Sequence, residues 1–183
     1  MIALHAQPNA AHLALAKLEA QKLLEAVITQ NIDGLHQSAG SCHVLELHGP
    51  NWRQYCVDCG AKYPLRYILD PTHCRSDVVP VCKKCGGIVR PNVVLYGENL
   101  DDGVIAAVIR AIETADLLIV GGTSLAVYPA AGLLRYFHGG NLVVINKTET
   151  PYDRLAQLVI SERIGKVLSE VETLIPAQIH EHP

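Results

Sequence analysis

Read from the amino end, the apolar positions of this chain switch between two periods. Ala11, Leu15 and Leu18 recur at helical spacing behind Asn9, which can cap a helix. Ala26-Val27-Ile28 is a short continuous apolar run, which predicts a buried strand opening into the polar string Thr29-Gln30-Asn31-Ile32-Asp33-Gly34. Asp101 or Asp102 can cap a helix with Ile105, Val108, Ile109 and Ile112 on one face. Leu117-Leu118-Ile119-Val120 predicts a second buried strand, ending in Gly121-Gly122-Thr123-Ser124. Pro129 suits the first turn of a helix and Gly139-Gly140 its end. A third strand, Leu142–Ile145, ends at Asn146-Lys147. A fourth, Leu158-Val159-Ile160, precedes a helix with Ile164, Val167, Leu168 and Val171, stopped by Pro176. Glu19, Lys22 and Glu25 read as a solvated helix face.

Continuously apolar strands alternating with helices describe a parallel α/β sheet covered on both faces. In such sheets ligands sit at the carboxyl ends of the strands. Here those ends carry Gln30-Asn31-Ile32-Asp33, Gly122-Thr123-Ser124 and Asn146-Lys147. Any one of these could be ordinary loop composition, since Gly, Ser, Asn and Asp are common loop residues. Three in register at one sheet edge favour a nucleotide-type site.

Composition narrows the class. The chain has 183 residues, 49% hydrophobic and 18% charged, with a formal net charge of −3. That excludes a disordered chain and leaves no basic stripe for nucleic acid or an anionic membrane. The longest apolar runs are far too short to span a bilayer. The opening MIALHAQPNAAH has no basic stretch followed by an apolar one, so no secretory signal is visible and the cytoplasm is the expected location.

In a reducing compartment six cysteines point to metal before disulfides. Cys56-Val-Asp-Cys59 and Cys82-Lys-Lys-Cys85 are two knuckles of the kind that close a four-thiolate zinc site, and Gly60 and Gly86-Gly87 permit the tight turns. The competing readings are unrelated pairs of free thiols and a redox CxxC. Four protein ligands leave no open coordination position, so one structural Zn2+ per chain is expected. Cys42 and Cys74 fall outside the pattern as plain thiols.

Thr29-Gln30-Asn31-Ile32-Asp33-Gly34-Leu35-His36, Glu46-Leu47-His48-Gly49, the two cysteine pairs, Arg90-Pro91-Asn92-Val93-Val94-Leu95-Tyr96-Gly97-Glu98, Gly122-Thr123-Ser124-Leu125 and Asn146-Lys147 occur in the order and spacing of the sirtuins. The resemblance is to the bacterial type and runs from about Pro8 to Leu174. It implies an NAD-dependent protein-lysine deacetylase that moves the acetyl group from lysine to ADP-ribose and releases nicotinamide, acting on acetylated lysine peptides or proteins. It also implies a Rossmann-like domain over residues 1–50 and 90–183, with a four-cysteine zinc-ribbon module over 51–89. By the same resemblance His48 is the general base, a role that suits imidazole chemistry in general, and Asn31 a second catalytic residue. Gln30, Asn31, Ile32 and Asp33 would wall the nicotinamide and its ribose; Gly122, Thr123 and Ser124 the phosphates and ribose; Asn146 and Lys147 the adenosine; Ile164 the adenine. Val93, Val94, Tyr96 and Gly97 would pair with an extended substrate peptide by strand addition. Read without the family, that last segment is a modest strand whose aromatic is buried for packing, and His36 and Asp58 are structural or solvated.

The family pattern opens with a strand and a glycine-rich phosphate loop, whereas here no glycine precedes Gly34. The expectation is a sheet without that strand, with unpaired edges and exposed apolar faces. A piece of a longer protein, a chain completed by another chain or a second copy, and a degenerate paralogue serving as a silent zinc scaffold that binds a peptide or partner are the three accounts, the first preferred. On it, this chain alone binds NAD poorly and deacylates weakly or not at all.

Overall fold

The computed structural model describes residues 5–75, 78–124 and 130–175. The chain divides into two compact units, one built from Gln30–Gly34 and Glu46–Leu100, the other from Ala6–Thr29, Leu35–Leu45 and the chain from Asp101 onward.

In the second unit, Asn9 caps α1 (Ala10–Ala20): its side chain accepts from the Ala11 and His12 amides, and the His12 ring accepts in turn from the Asn9 amide. The helix ends at Ala20, so Lys22 and Glu25 do not extend a solvated helix face. Lys22 instead takes the left-handed closing position (φ 60°), with Leu23 N–H reaching back to Leu18 O at 3.0 Å. Glu19 turns inward and accepts from the amides of Cys42 and His43 at 3.0 and 2.7 Å. β1 (Val27–Thr29) and β2 (Val44–Glu46) form a two-stranded sheet, with the short α2 (Leu35–Ser38) between them in sequence.

The principal sheet of this unit has three parallel strands in the order β6-β7-β8: β6 (Leu117–Gly121), β7 (Asn141–Ile145) and β8 (Leu158–Ile160). α4 (Asp102–Thr114) is capped by the Asp101 carboxylate on the Val104 amide and buries Val108 and Ile112, as its pattern predicts. α6 (Ile164–Leu174) packs with α1 over one face, where Ala11, Ala14, Ile145 and Leu168 form a core flanked by Leu15, Val143, Ile160, Ile164 and Val167. Two readings made from the strands alone fail here, and both failures agree with the expectation of unpaired edges and exposed apolar faces. β6 is not buried: Leu117 is 48% and Ile119 38% exposed, because β6 ends the sheet and pairs with β7 alone among the described strands. Nor is the sheet covered on both faces, since Leu158 and Val159 of β8 are also exposed. β1-β2 is a separate sheet, so the sheet is in two pieces. α5 (Ala130–Leu133) runs into a 3-10 turn over Leu134–Tyr136, short of Gly139-Gly140. Leu125, Pro129 and Pro176 lie outside the described residues.

In the first unit, β3 (Arg53–Cys56) is the middle of an antiparallel sheet ordered β4-β3-β5, with β4 (Lys62–Pro64) and β5 (Val89–Pro91). α3 (Leu65–Leu69) follows β4. Cys56, Tyr67, Cys82 and Val89 make the small core, with Ala61, Tyr63 and Ile68 against it. Among the described residues no helix is long and apolar enough to cross a membrane.

Candidate active site and metal centre

The two knuckles close as local turns. Gly60 N–H returns to Cys56 O and Gly86 N–H to Cys82 O, both at 2.9 Å, with Gly60 and Gly86 at φ 68° and 76°. The turns bring the sulfurs of Cys56, Cys59, Cys82 and Cys85 within 4.8 Å of one another. Cys56 and Cys85 stand 3.5 Å apart, and Cys59 and Cys82 3.6 Å. Four sulfurs at zinc bond lengths on a tetrahedron are separated by about 3.8 Å, so the cluster fits a single Zn2+. Electrostatics argue the same way. The Cys85 thiol is pulled down by the Gly87 amide but pushed up further, to about 12, by the Cys59 and Cys56 thiols and by burial. Thiols so crowded cannot all ionise without a cation among them. These four residues would hold the metal, with no position left for substrate.

Sequence reasoning missed a fifth member of this centre. The Tyr63 hydroxyl lies 3.1 Å from Cys82 Sγ and accepts from the Lys83 amide at 3.2 Å. Its donation to sulfur brings the Cys82 thiol down to about 6, while the same bond holds Tyr63 up at about 12. The neighbouring pair Tyr63–Tyr67, ring centres 4.1 Å apart, ties this hydroxyl into the module core. Asp58, expected to be structural or solvated, lies against Gly87, where a Cβ would run into its carboxylate.

His48 sits just after β2, half-buried, in the same unit as Gln30–Gly34. Its Nδ1 is 2.8 Å from Gln30 O. A carbonyl oxygen only accepts, so Nδ1 carries the hydrogen, and in the neutral ring the lone pair is on Nε2. The segment after Gln30 is tied down by Asn51 N–H on Ile32 O at 3.0 Å. Gly49 is required next to His48: it has φ 69°, and a Cβ there would collide with the Asn92 carbonyl. That close approach lets Val94 N–H reach His48 O at 2.9 Å. Gln30, Asn31, Ile32, Asp33, His48 and the Val93–Gly97 segment therefore belong to one unit. Val93–Gly97 is a loop rather than a strand, and its Tyr96 is fully exposed and Leu95 more than half so. The reading of a packed aromatic is thereby corrected. β5 stops at Pro91, and the turn at Gly97 (φ 87°) carries the side chains outward.

The other predicted residues share the second unit. Gly121 pairs with Ile145, so Gly122-Thr123-Ser124 and Asn146-Lys147 emerge side by side at the carboxyl end of the parallel sheet. Gly122 N–H bonds Ile145 O and Asn146 N–H bonds Ile160 O, each at 3.1 Å. Ile164 opens α6 directly against Gly121, where a Cβ would meet its side chain, and Gly122 has φ 64°. Bare backbone, an apolar side chain and polar side chains thus lie together at the sheet end where the sequence led us to expect a nucleotide.

Residues 1–129 match the Sir2 family. The chain belongs to the Sir2 family. Among curated sirtuins, it is 58% identical to the NAD-dependent protein deacetylase of Clostridium acetobutylicum over 171 residues, which is 93% of this chain and 68% of that protein. It is 59% identical to the NAD-dependent protein deacetylase of Clostridium perfringens over 168 residues, 91% of this chain and 67% of the relative. Among solved sirtuins, it superposes on a Sir2 bound to acetylated peptide with a TM-score of 0.86 at 44% identity, covering 93% of this chain and 72% of the other. A Sir2–p53 peptide–NAD+ complex matches with a TM-score of 0.85, also at 44% identity, over 93% of this chain and 71% of that one. The sirtuin fold, a Rossmann-like sheet with a zinc-ribbon, is thus the fold of this chain.

Proposed function

We propose that this sirtuin is an NAD-dependent protein-lysine deacetylase, acting on acetylated lysine peptides or proteins. The observation that carries the reading is the His48 geometry: Nδ1 is held by Gln30 O at 2.8 Å, which reserves Nε2 as proton acceptor. NAD, when bound, would supply an electrophilic ribose carbon, open to bonding by the acetyl oxygen as its bond to nicotinamide breaks. His48 Nε2 takes the proton of the ribose hydroxyl, and Asn31 orients the ribose. Gln30, Ile32 and Asp33 line the nicotinamide side. Gly122, Thr123 and Ser124 are assigned to the phosphates and ribose, Asn146 and Lys147 to the adenosine, and Ile164 to the adenine. Val93, Val94, Tyr96 and Gly97 receive the peptide. Cys56, Cys59, Cys82 and Cys85 hold a structural zinc within a module over 51–89, set in a Rossmann-like domain over 1–50 and 90–183. The assigned location is the cytoplasm.

The deciding experiment follows nicotinamide release from NAD with an acetyl-lysine peptide. Replacing His48 by Ala is expected to abolish the weak release this chain gives alone, a general base usually contributing about 10²–10⁴-fold. Zinc content should be unchanged. Equal rates in both proteins, or peptide binding without any NAD binding, would defeat the enzymatic reading in favour of a peptide-binding zinc scaffold.

A further inference from the structure

We propose that Arg90 and Glu98 form an ionic clamp that fixes the acyl-peptide-binding segment, acting as positioning residues for substrate capture. The clamp rests on the deacetylase reading above and extends it to two residues with no role so far.

The segment needs such a device. β5 leaves its ladder at Pro91, after the pairs Gln54↔Pro91 and Tyr55↔Arg90. Asn92 N–H still bonds Arg53 O at 2.9 Å, and beyond it the chain projects as a loop with Leu95 and Tyr96 exposed. A loop with apolar tips and no ladder gains little from burial and would lose conformational entropy each time a peptide ordered it.

Arg90 and Glu98 supply the order beforehand. Arg90 Nη1 lies 2.6 Å from Glu98 Oε1 and Nη2 3.0 Å from Oε2, a two-point fork. Each partner also holds main chain inside the loop. Arg90 Nη2 donates to Val93 O at 2.9 Å, and Glu98 Oε2 accepts from Leu95 N–H at 2.9 Å. On the intervening residue, Val94 N–H is taken by His48 O at 2.9 Å. Val93, Val94 and Leu95 are therefore held one after another, first by the fork, then by the backbone of the general base, then by the fork again. What the loop then presents is the Leu95–Tyr96 tip and the Gly97 turn, closed by Glu98 N–H on Leu95 O at 3.0 Å. The clamp thus presets the peptide-facing tip and ties it to the chain that carries His48. It touches neither the reacting atoms nor the residues assigned to NAD, so its loss should be felt by the peptide alone.

The test compares the unsubstituted chain with Glu98→Ala and Arg90→Lys, the latter keeping the charge without the fork. Calorimetric titration with an acetyl-lysine peptide and with NAD is run alongside steady-state kinetics and zinc analysis. Glu98→Ala is expected to raise peptide Kd and KM by about tenfold, with NAD KM and kcat within about twofold and zinc unchanged. Arg90→Lys should fall between the two. Amide exchange at Val94 and Leu95 should quicken in both variants whether or not peptide is present. Peptide affinity equal to the parent's in both variants would overturn the clamp and leave the deacetylase reading standing, as would a matching loss for NAD and peptide. A parent chain that binds neither peptide nor NAD would defeat that reading, and the clamp's role with it.

Discussion

The two units of this chain solve the same problem differently. The zinc-ribbon unit has a core of four buried side chains, two of them cysteines, and closes itself by gathering four sulfurs within 4.8 Å. The parallel-sheet unit has the larger apolar content, yet its β6 ends the sheet with Leu117 and Ile119 showing to solvent. A small module can be closed by one metal ion, because the ion's binding energy replaces the core it cannot build. A sheet has no such substitute: each edge strand keeps unpaired main chain unless something lies against it.

The largest effect expected from breaking this contrast is metal loss. Chelation, or Cys82→Ser, removes a contribution of roughly 10–16 kcal/mol and should unfold the chain between about Cys56 and Cys85. Amide exchange should then rise throughout β4 and α3 while β7 keeps its protection, and elemental analysis of the intact protein should give one zinc per chain. No zinc, or uniform loss of protection, would refute the division of labour. Within the sheet unit, Leu168→Ala should cost about 2–5 kcal/mol in denaturant unfolding, since Leu168 is 1% exposed in the core with Ala11, Ala14 and Ile145. Acid acts more locally. Arg90 beside Glu98 holds its carboxyl at about 2, far below the ordinary 4.5. A depressed carboxyl contributes its stability above the unfolded pKa and loses it as pH falls through the folded one. Protection of the Leu95 amide, relative to its intrinsic exchange rate, should therefore hold at pH 5 and fall between about pH 4.5 and 2. The smallest effect belongs to the open strand: Leu117→Lys should shift stability by no more than about 0.5 kcal/mol. A cost matching that of Leu168→Ala would mean the β6 face is covered in solution.

Local chemistry was legible in the sequence wherever one residue type has one cheap use. The cysteine spacing led to the sulfur cluster, Asn9 and Asp101 to their caps, and Leu158–Ile160 to β8 with its bounds intact. What failed was anything decided by a distant partner. An apolar run reports that a strand has sticky side chains and says nothing of what lies against them, so β6 read as buried. Lys22 in the left-handed position breaks the rule that glycine closes helices, and no pattern announces such an exception. Tyr63, Arg90 and Glu98 act through hydrogen bonds to residues 3 to 20 positions away, and only the fold shows which of many polar side chains meet.

The partner that orients His48 is a main-chain oxygen. Every amino acid brings that oxygen with it, so the tautomer of His48 is not written in the identity of residue 30 and cannot be erased by changing its side chain. Gln30→Ala would trim whatever the amide does for a bound nucleotide and leave the imidazole oriented as before. Evolution and the protein engineer are free to alter the side chain at this position without reorienting the imidazole beside it.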